Sequence, residues 1–236
     1  MAVILNIETS TDVCSVALSS DGYILHHRED FNGPNHAAVL SDFIADSLNY
    51  LESHGNMHLD AVGVSIGPGS YTGLRIGLSE AKGLAYALFV PLIGINTLEI
   101  IAAQTMFAFD DFNPDTDLFQ PMIDARRDEV YTATYNAMLE CIKPAVPVIL
   151  TADYNKDSNE KRIIYSGNGV TKAMRILEPR LSNIFIEGVS PLATGMLPIS
   201  EKAWQQKQFI DIAYSVPLYL KDFQASTPKN KLSQAK

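Results

Sequence analysis

The sequence contains few cysteines, few basic residues and no long hydrophobic run. Two cysteines, Cys14 and Cys141, occur in 236 residues, so a disulfide framework is excluded and both are expected to be reduced thiols. The longest apolar run covers 83–95, contains Pro91 and is too short to span a bilayer. No basic segment precedes the apolar start of the sequence, so no secretory signal is predicted. These features predict a soluble, cytoplasmic protein that does not associate with a membrane.

The charge balance of the chain is acidic. The sequence has 27 Asp and Glu against 18 Lys and Arg, which gives a formal net charge of −9. Because a surface of that sign repels phosphate backbones, we do not expect the chain alone to bind nucleic acid tightly. The one locally basic stretch is the end, which we predict to be a flexible tail at 226–236, with a nucleic-acid arm as the alternative. The charged residues of this basic stretch, which begins before the predicted tail, are Lys221, Asp222, Lys229, Lys231 and Lys236.

The order of apolar segments predicts an α/β protein of two lobes, with mixed β-sheets and packed helices. A stretch rich in acids, Asn and Pro at 110–117 separates a first lobe at 1–109 from a second at 110–225, whose last segment could pack back on the first. Both halves run strands and then helices, as a duplication would. Strands are predicted at 3–7, 14–18, 23–31, 61–66, 92–95, 118–123, 129–137, 146–150, 163–165 and 184–186, and helices at 36–53, 74–89, 97–109, 169–178 and 192–206.

Two segments have residue types that could hold an anion. The first predicted strand ends in an acid and three hydroxyls, as in the phosphate-holding turn of actin-like ATPases and sugar kinases, but it lacks the glycine of that turn. A glycine-rich segment at 67–77 leads into the second helix, where backbone N–H groups could form an anion cradle. The alternative is that both segments are structural turns. The candidate residues are Glu8, Thr9, Ser10, Thr11, Gly67, Gly69 and Ser70.

The second predicted helix is apolar on more than one side, so we expect it to be buried on more than one side. One side should pack on the chain's own sheet, and the other is either further core or a partner surface, which we favour. Gly73, Gly77 and Gly83 are spaced where a neighbouring backbone could approach. With the first helix, the predicted partner interface comprises Leu40, Ile44, Tyr71, Leu74, Arg75, Gly77, Leu78, Ala81 and Lys82.

Catalytic arrangements are scarce in this sequence. His26 and His27 would point to opposite faces of a strand, and His54 and His58 are separated by helix-breaking residues. Neither a zinc-binding His-Glu-x-x-His pattern nor a nucleophile elbow occurs. We therefore predict no catalytic residue and no metal ligand. The charged segment 124–129 is predicted to be a solvated hairpin or a docking loop.

Five blocks of sequence, spread in order over nearly the whole chain, resemble the bacterial TsaB (YeaZ) family of tRNA threonylcarbamoyladenosine biosynthesis proteins. The blocks are 4–18, 67–85, 124–131, 166–169 and 216–221. The resemblance implies a two-lobed actin-like or sugar-kinase-like (ASKHA) fold and a partner subunit that is not itself a catalyst.

The related catalytic family, TsaD, has two metal-binding histidines four residues apart after a Pro-Leu-Ile-Gly-Val-Asn run. In this sequence the matching positions are Thr97 and Ile101, which follow Pro91-Leu92-Ile93-Gly94-Ile95-Asn96. Because neither side chain can replace an imidazole ligand, the resemblance implies that the metal site is lost.

The resemblance also implies a function. The chain would act with TsaD, as a heterodimer, and with TsaE in threonylcarbamoyl transfer to adenosine 37 of tRNAs that read codons beginning with A. It would bind no cofactor stably, the complex would use ATP, and tRNA would be bound only through the complex. The isolated chain would be a homodimer. The alternative is a stand-alone ATP-binding or peptidase-like enzyme of the actin-like fold.

Overall fold

Two five-stranded mixed sheets with helices on their faces make up the computed structural model, which describes residues 2–33, 35–55, 57–156 and 161–221. In the first sheet the strand order is β3-β2-β1-β4-β5, with β1, β2 and β3 antiparallel and β4 and β5 parallel to β1. Its elements are β1 Ile4–Glu8, β2 Cys14–Ser20, β3 Tyr23–Asp30, α1 His36–Ser53, β4 Ala61–Gly67, α2 Tyr71–Leu88, β5 Leu92–Asn96 and α3 Thr97–Ala108.

The second sheet repeats this topology. Its order is β10-β9-β6-β7-β8, with an antiparallel β6-β7-β8 meander and two parallel strands beside β6. The predicted two-lobed α/β fold class is confirmed. The elements are β6 Leu118–Asp124, β7 Glu129–Tyr135, β8 Cys141–Ile149, β9 Ile163–Ser166, α4 Val170–Ile176, β10 Asn183–Ile186, a short 3-10 helix Ala193–Met196 and α5 Leu197–Gln205.

Strand β1 lies at the centre of the first sheet and is buried along its whole length. Because side chains alternate across a strand, Leu5 and Ile7 pack with α1 and α2 on one face, while Ile4 packs on the other. Helix α3 is buried between the two sheets, with Ile100 in the core of the first and Ile101 in the core of the second. Because β1 pairs in parallel with β4 and α2 follows β4, the end of β1 lies beside the start of α2.

The last helical segment packs on the first sheet. Met196 and Ile199 share a core with Ile4 and Ile93, so the 3-10 helix and α5 cover the face of the first sheet opposite α1 and α2. The sequence allows the last segment of 110–225 to pack back on the first lobe, and the lobe bounds themselves stay a prediction. Together with Ile100 and Ala103 of α3, the apolar residues of the 3-10 helix and α5 cover the sheet face that α1 and α2 do not cover.

Residues 210–221, here called the C-terminal strap, contact both sheets. The backbone N–H of Ile210 donates to Leu92 O at 2.8 Å, and that of Leu218 donates to Ile66 O at 2.6 Å. At its far end Lys221 forms an ion pair with Glu129 at the start of β7. The predicted tail at 226–236 lies outside the described residues. Among the helices that the structure describes, none has the length and apolar character needed to cross a membrane.

Candidate functional site

The turn after β1 and the glycine-rich segment before α2 pack directly on each other. Ser70 N donates to Ser10 O at 2.7 Å, and Thr9 Oγ1 donates to Gly73 O at 2.9 Å. A Cβ atom added at Gly69 would overlap the Ser10 backbone, and one at Gly77 would overlap the Thr9 hydroxyl. The space that these glycines leave is therefore filled by the chain's own turn.

This packing accounts for the glycines without a ligand. Gly67 approaches the C-terminal strap, because a side chain there would meet Leu218 O. Ser70 is the N-cap of α2, where its side chain accepts a hydrogen bond from Gly73 N at 3.3 Å. The structure thus favours the alternative of two structural turns, and it gives no support to an anion cradle at Gly67, Gly69 and Ser70.

A buried carboxyl group lies under the turn. Glu8 is fully buried, and its Oε1 accepts a hydrogen bond from Ser10 N at 2.5 Å. Burial raises the pKa of Glu8 to about 7, against the opposing effect of hydrogen bonds from Ser10 and Ser65. Near it, His36 Nε2 donates to Thr11 O at 2.8 Å. Within the described residues, Glu8 Oε2, Ser10 Oγ, Thr11 Oγ1 and His36 Nδ1 have no hydrogen-bond partner.

The apolar residues predicted to contact a partner are core residues of this chain. Leu40 and Leu74 are 1% exposed, and Leu78 is 5% exposed. Ile44 and Ala81 are buried in the same core, and Gly77 is covered by Thr9. The prediction that these six residues form the partner interface is therefore wrong. The faces of β1 and β4 below α1 and α2 require the whole apolar stripe, so none of it is left for a partner.

The polar members of the predicted interface hold the C-terminal strap. The Arg75 guanidinium lies 4.0 Å from the centre of the Tyr71 ring, and its Nε donates to Tyr219 Oη at 3.0 Å. The Tyr71 and Tyr219 rings stack with their centres 4.6 Å apart. Lys82 makes a further contact between α2 and the strap, because its Nζ donates to Ser215 O at 2.6 Å.

The solvent-facing side of α1 and α2 carries mostly small and polar residues, with the exposed ring of Tyr86 one turn after Gly83. Gly83 is exposed in the middle of α2, and no atom lies within 4 Å of the position that its Cβ would take. Sequence periodicity missed this face because it registers apolar stripes. The one available signal was Gly83 itself, since a glycine inside a helix destabilises it relative to alanine. The exposed residues include Ala38, Ser41 and Ala45 of α1 and Thr72, Ser79 and Gly83 of α2.

Metal-binding groups do not cluster in the described part of the chain, where no three His, Cys, Asp or Glu side chains could hold an ion. Thr97 is fully buried, and Ile101 belongs to the core between α3 and the second sheet. His26 is paired with Asp46 at 3.3 Å instead of with another histidine.

Two sheets of like topology, with the turn after β1 packed against the N-terminus of α2, define a two-lobed protein of the actin-like class. A family model described as TsaD, tRNA N6-adenosine threonylcarbamoyltransferase, matches residues 31–153. The TsaB protein of Bacillus subtilis, a tRNA threonylcarbamoyladenosine biosynthesis protein, is 31% identical over 226 residues, 92% of this chain and 93% of the relative. The TsaB protein of Escherichia coli is 29% identical over 93% of this chain and 94% of its own length. The chain belongs to the TsaB (YeaZ) family.

Solved structures agree with this assignment. A Pseudomonas aeruginosa protein described as similar to peptidase YeaZ superposes with a TM-score of 0.76 and 26% identity, over 94% of this chain and all of the other. YeaZ from the same organism superposes with a TM-score of 0.73 and 25% identity, over 93% of this chain and all of the other.

Proposed function

We propose that the protein is a cytoplasmic, non-catalytic subunit in the synthesis of threonylcarbamoyladenosine in tRNA. It pairs with a TsaD-type transferase and acts with a TsaE-type ATPase, so that ATP is used by the complex and no cofactor is held stably by this chain. The names of its relatives in Bacillus subtilis and Escherichia coli support the pathway. The match of residues 31–153 to the TsaD family model supports common ancestry with the proposed partner.

The observation that carries the non-catalytic role is the occupied turn after β1. A catalyst of the actin-like class needs room for a phosphate at this point, and here Thr9 and Ser10 fill it against Gly69, Gly73 and Gly77. Two further positions support the role. Thr97 and Ile101, where the resemblance to TsaD implies metal ligands, are buried and carry no imidazole.

We place the partner contact on the solvent-facing side of α1 and α2, centred on Gly83. A related pair of helices on TsaD could pack there as a four-helix contact, with small residues such as Ala45 and Ser79 allowing close approach. A second copy of this chain could use the same face, so the homodimer and the heterodimer would compete.

Substitutions at Gly83 test this placement without disturbing the core. Gly83→Ala fits open space and should stabilise the helix by about 0.5–1 kcal/mol while leaving partner binding intact. Gly83→Leu should stay folded by circular dichroism, yet fail to co-purify with the TsaD-type partner and fail to support tRNA modification. Normal co-purification of the Gly83→Leu protein would place the partner surface elsewhere.

The non-catalytic role has its own test. The purified chain, incubated with ATP and with peptides, is expected to show no turnover. Turnover that is abolished by a substitution in this chain would favour the stand-alone enzyme instead. Reconstitution of tRNA modification that proceeds equally well without this chain would contradict the subunit role.

A further inference from the structure

A line of cationic and aromatic side chains crosses from the first sheet to the second along the C-terminal strap. It begins with Arg75, which lies over the Tyr71 ring and donates to Tyr219 Oη, while the Tyr71 and Tyr219 rings stack on each other. It continues two residues further along the strap at Lys221. Lys221 Nζ lies 5.9 Å from the Tyr131 ring centre and pairs with Glu129, which closes the loop that carries Arg126 and Arg127. We call Tyr71, Arg75, Tyr219, Lys221, Arg126 and Arg127 the cationic track.

Among the described residues, the three acids of the loop beside the track are each paired with a cation of this chain. Lys172 Nζ lies 2.9 Å from Asp124 Oδ1, and Arg175 pairs with Asp128 at 3.0 Å. The third acid of the loop, Glu129, is paired with Lys221. The described residues offer Arg126 and Arg127 no ion pair, so the loop presents two uncompensated positive charges on a chain whose formal net charge is −9.

The backbone holds these two arginines outward at a conformational cost. Arg126 has φ 69° and Arg127 has φ 51°, both in the left-handed region that side chains disfavour. The conformation is maintained by Arg126 N, which donates to Asp124 Oδ1 at 2.6 Å, and by Glu129 N, which donates to Arg126 O at 3.2 Å. Both arginine side chains are exposed. The loop adopts a strained backbone conformation that exposes two positive charges. Such an arrangement favours binding of a polyanionic partner.

We propose that the cationic track binds an RNA strand of the tRNA substrate within the assembled complex. Arg126 and Arg127 would contact phosphates, while the exposed parts of the Tyr219 and Tyr71 rings would stack on unpaired bases. The proposal rests on the proposed function, because it names the contact that this subunit makes with the substrate. The acidic remainder of the surface explains why such a contact would be weak without the other subunits.

Removing the two uncompensated charges tests the proposal. In the complex reconstituted with its TsaD- and TsaE-type partners, Arg126→Gln with Arg127→Gln should weaken binding of a tRNA transcript about tenfold at moderate salt. The slope of log Kd against log salt should fall by about 1.4, since each phosphate contact on a single strand contributes about 0.7. Tyr219→Leu should weaken binding while leaving that slope unchanged, because stacking is not electrostatic.

A matched control uses two exposed lysines away from the track. Lys207 also has a left-handed backbone, with φ 54°, and Lys143 lies on the edge strand β8. Lys143→Gln with Lys207→Gln removes the same charge and should leave tRNA affinity and the salt slope unchanged. Equal weakening by both double variants would show a non-specific effect of net charge and would overturn the proposal.

The remaining outcomes separate this inference from the proposed function. If the arginine variant assembles normally and binds tRNA with the wild-type salt slope, the track does not contact RNA, although the subunit role stands. If the variant loses the TsaD-type partner, the track is a protein contact and the inference is wrong. If even the wild-type chain fails to assemble with the partners, the proposed function itself fails.

Discussion

Replacement of Glu8 by glutamine should make the protein more stable at alkaline pH. The carboxyl is fully buried, with one oxygen accepting from Ser10 N and the other without a partner among the described residues. Glutamine keeps the acceptor and the shape of the side chain. Its N–H₂ group takes the position of Oε2, which has no hydrogen-bond partner among the described residues. The substitution therefore removes a buried ionisation while the packing of the turn after β1 is retained.

The magnitude follows from the pKa of Glu8, which burial raises from 4.5 to about 7. The native state holds this proton more tightly than the unfolded chain, so its contribution is complete below pH 4.5 and is lost as the pH rises through 7. Linkage then predicts that Glu8 lowers the free energy of unfolding by about 2.5 kcal/mol between pH 5 and pH 8. The glutamine variant should not show this loss.

Urea unfolding followed by circular dichroism at several pH values measures the difference between variant and wild type, in which other titrating groups cancel. Glu80→Gln, on the exposed surface of α2, serves as a control for the loss of one carboxylate. The expected result is a stability advantage of Glu8→Gln that grows with pH. An advantage that is constant from pH 5 to pH 8 would refute the assignment of a proton to Glu8, and a variant less stable at every pH would show that the carboxylate is needed.

Three further predictions concern the packing of α2, the reactivity of the two thiols and the metal content. Leu78→Ala should destabilise the protein by about 2–5 kcal/mol in urea unfolding, because Leu78 is buried. Ser79→Ala, on the exposed side of α2, should have little effect. Equal effects of the two substitutions would contradict the packing of α2. A maleimide should label only the exposed Cys141 in the native state. Cys14 is fully buried, and burial raises the pKa of its thiol to about 12. Denaturant should make Cys14 reactive as well. Elemental analysis should find no stoichiometric zinc or iron, and one equivalent removable by a chelator would contradict this.

The order of elements could be predicted from sequence because local signals mark most boundaries. Gly33 and Gly55 bound the predicted helix at 36–53, and the structure has α1 at His36–Ser53. The signal is weaker where an element is not buried. The strand predicted at 146–150 is β8, Cys141–Ile149, and most of its residues are exposed. An edge strand without a buried face lacks the alternation on which strand prediction depends.

The candidate site was predicted less well, because periodicity identifies an apolar stripe but not what covers it. Leu74, Leu78 and Ala81 were correctly recognised as one stripe of α2, yet the stripe packs on the chain's own sheet. Likewise, Gly73, Gly77 and Gly83 were predicted to be points of close approach; Thr9, from a turn about sixty residues away, approaches the first two, and no atom lies within 4 Å of a Cβ position at Gly83. Such a contact between distant segments leaves no pattern in either segment alone.

The partner face and the cationic track both use α2, but on different sides of it. At 100° per residue, Arg75 and Lys82 fall on the side that contacts the strap, and Glu80 falls on the side where Ser41 of α1 donates to it at 3.3 Å. Gly83 faces outward between these two sides, so a helix pair could dock over Gly83 without displacing Tyr219 from Arg75. One subunit could then hold its partner and contact RNA at the same time. It follows that Gly83→Leu should leave the Arg75–Tyr219 contact intact, and that the arginine loop variant should leave partner assembly intact.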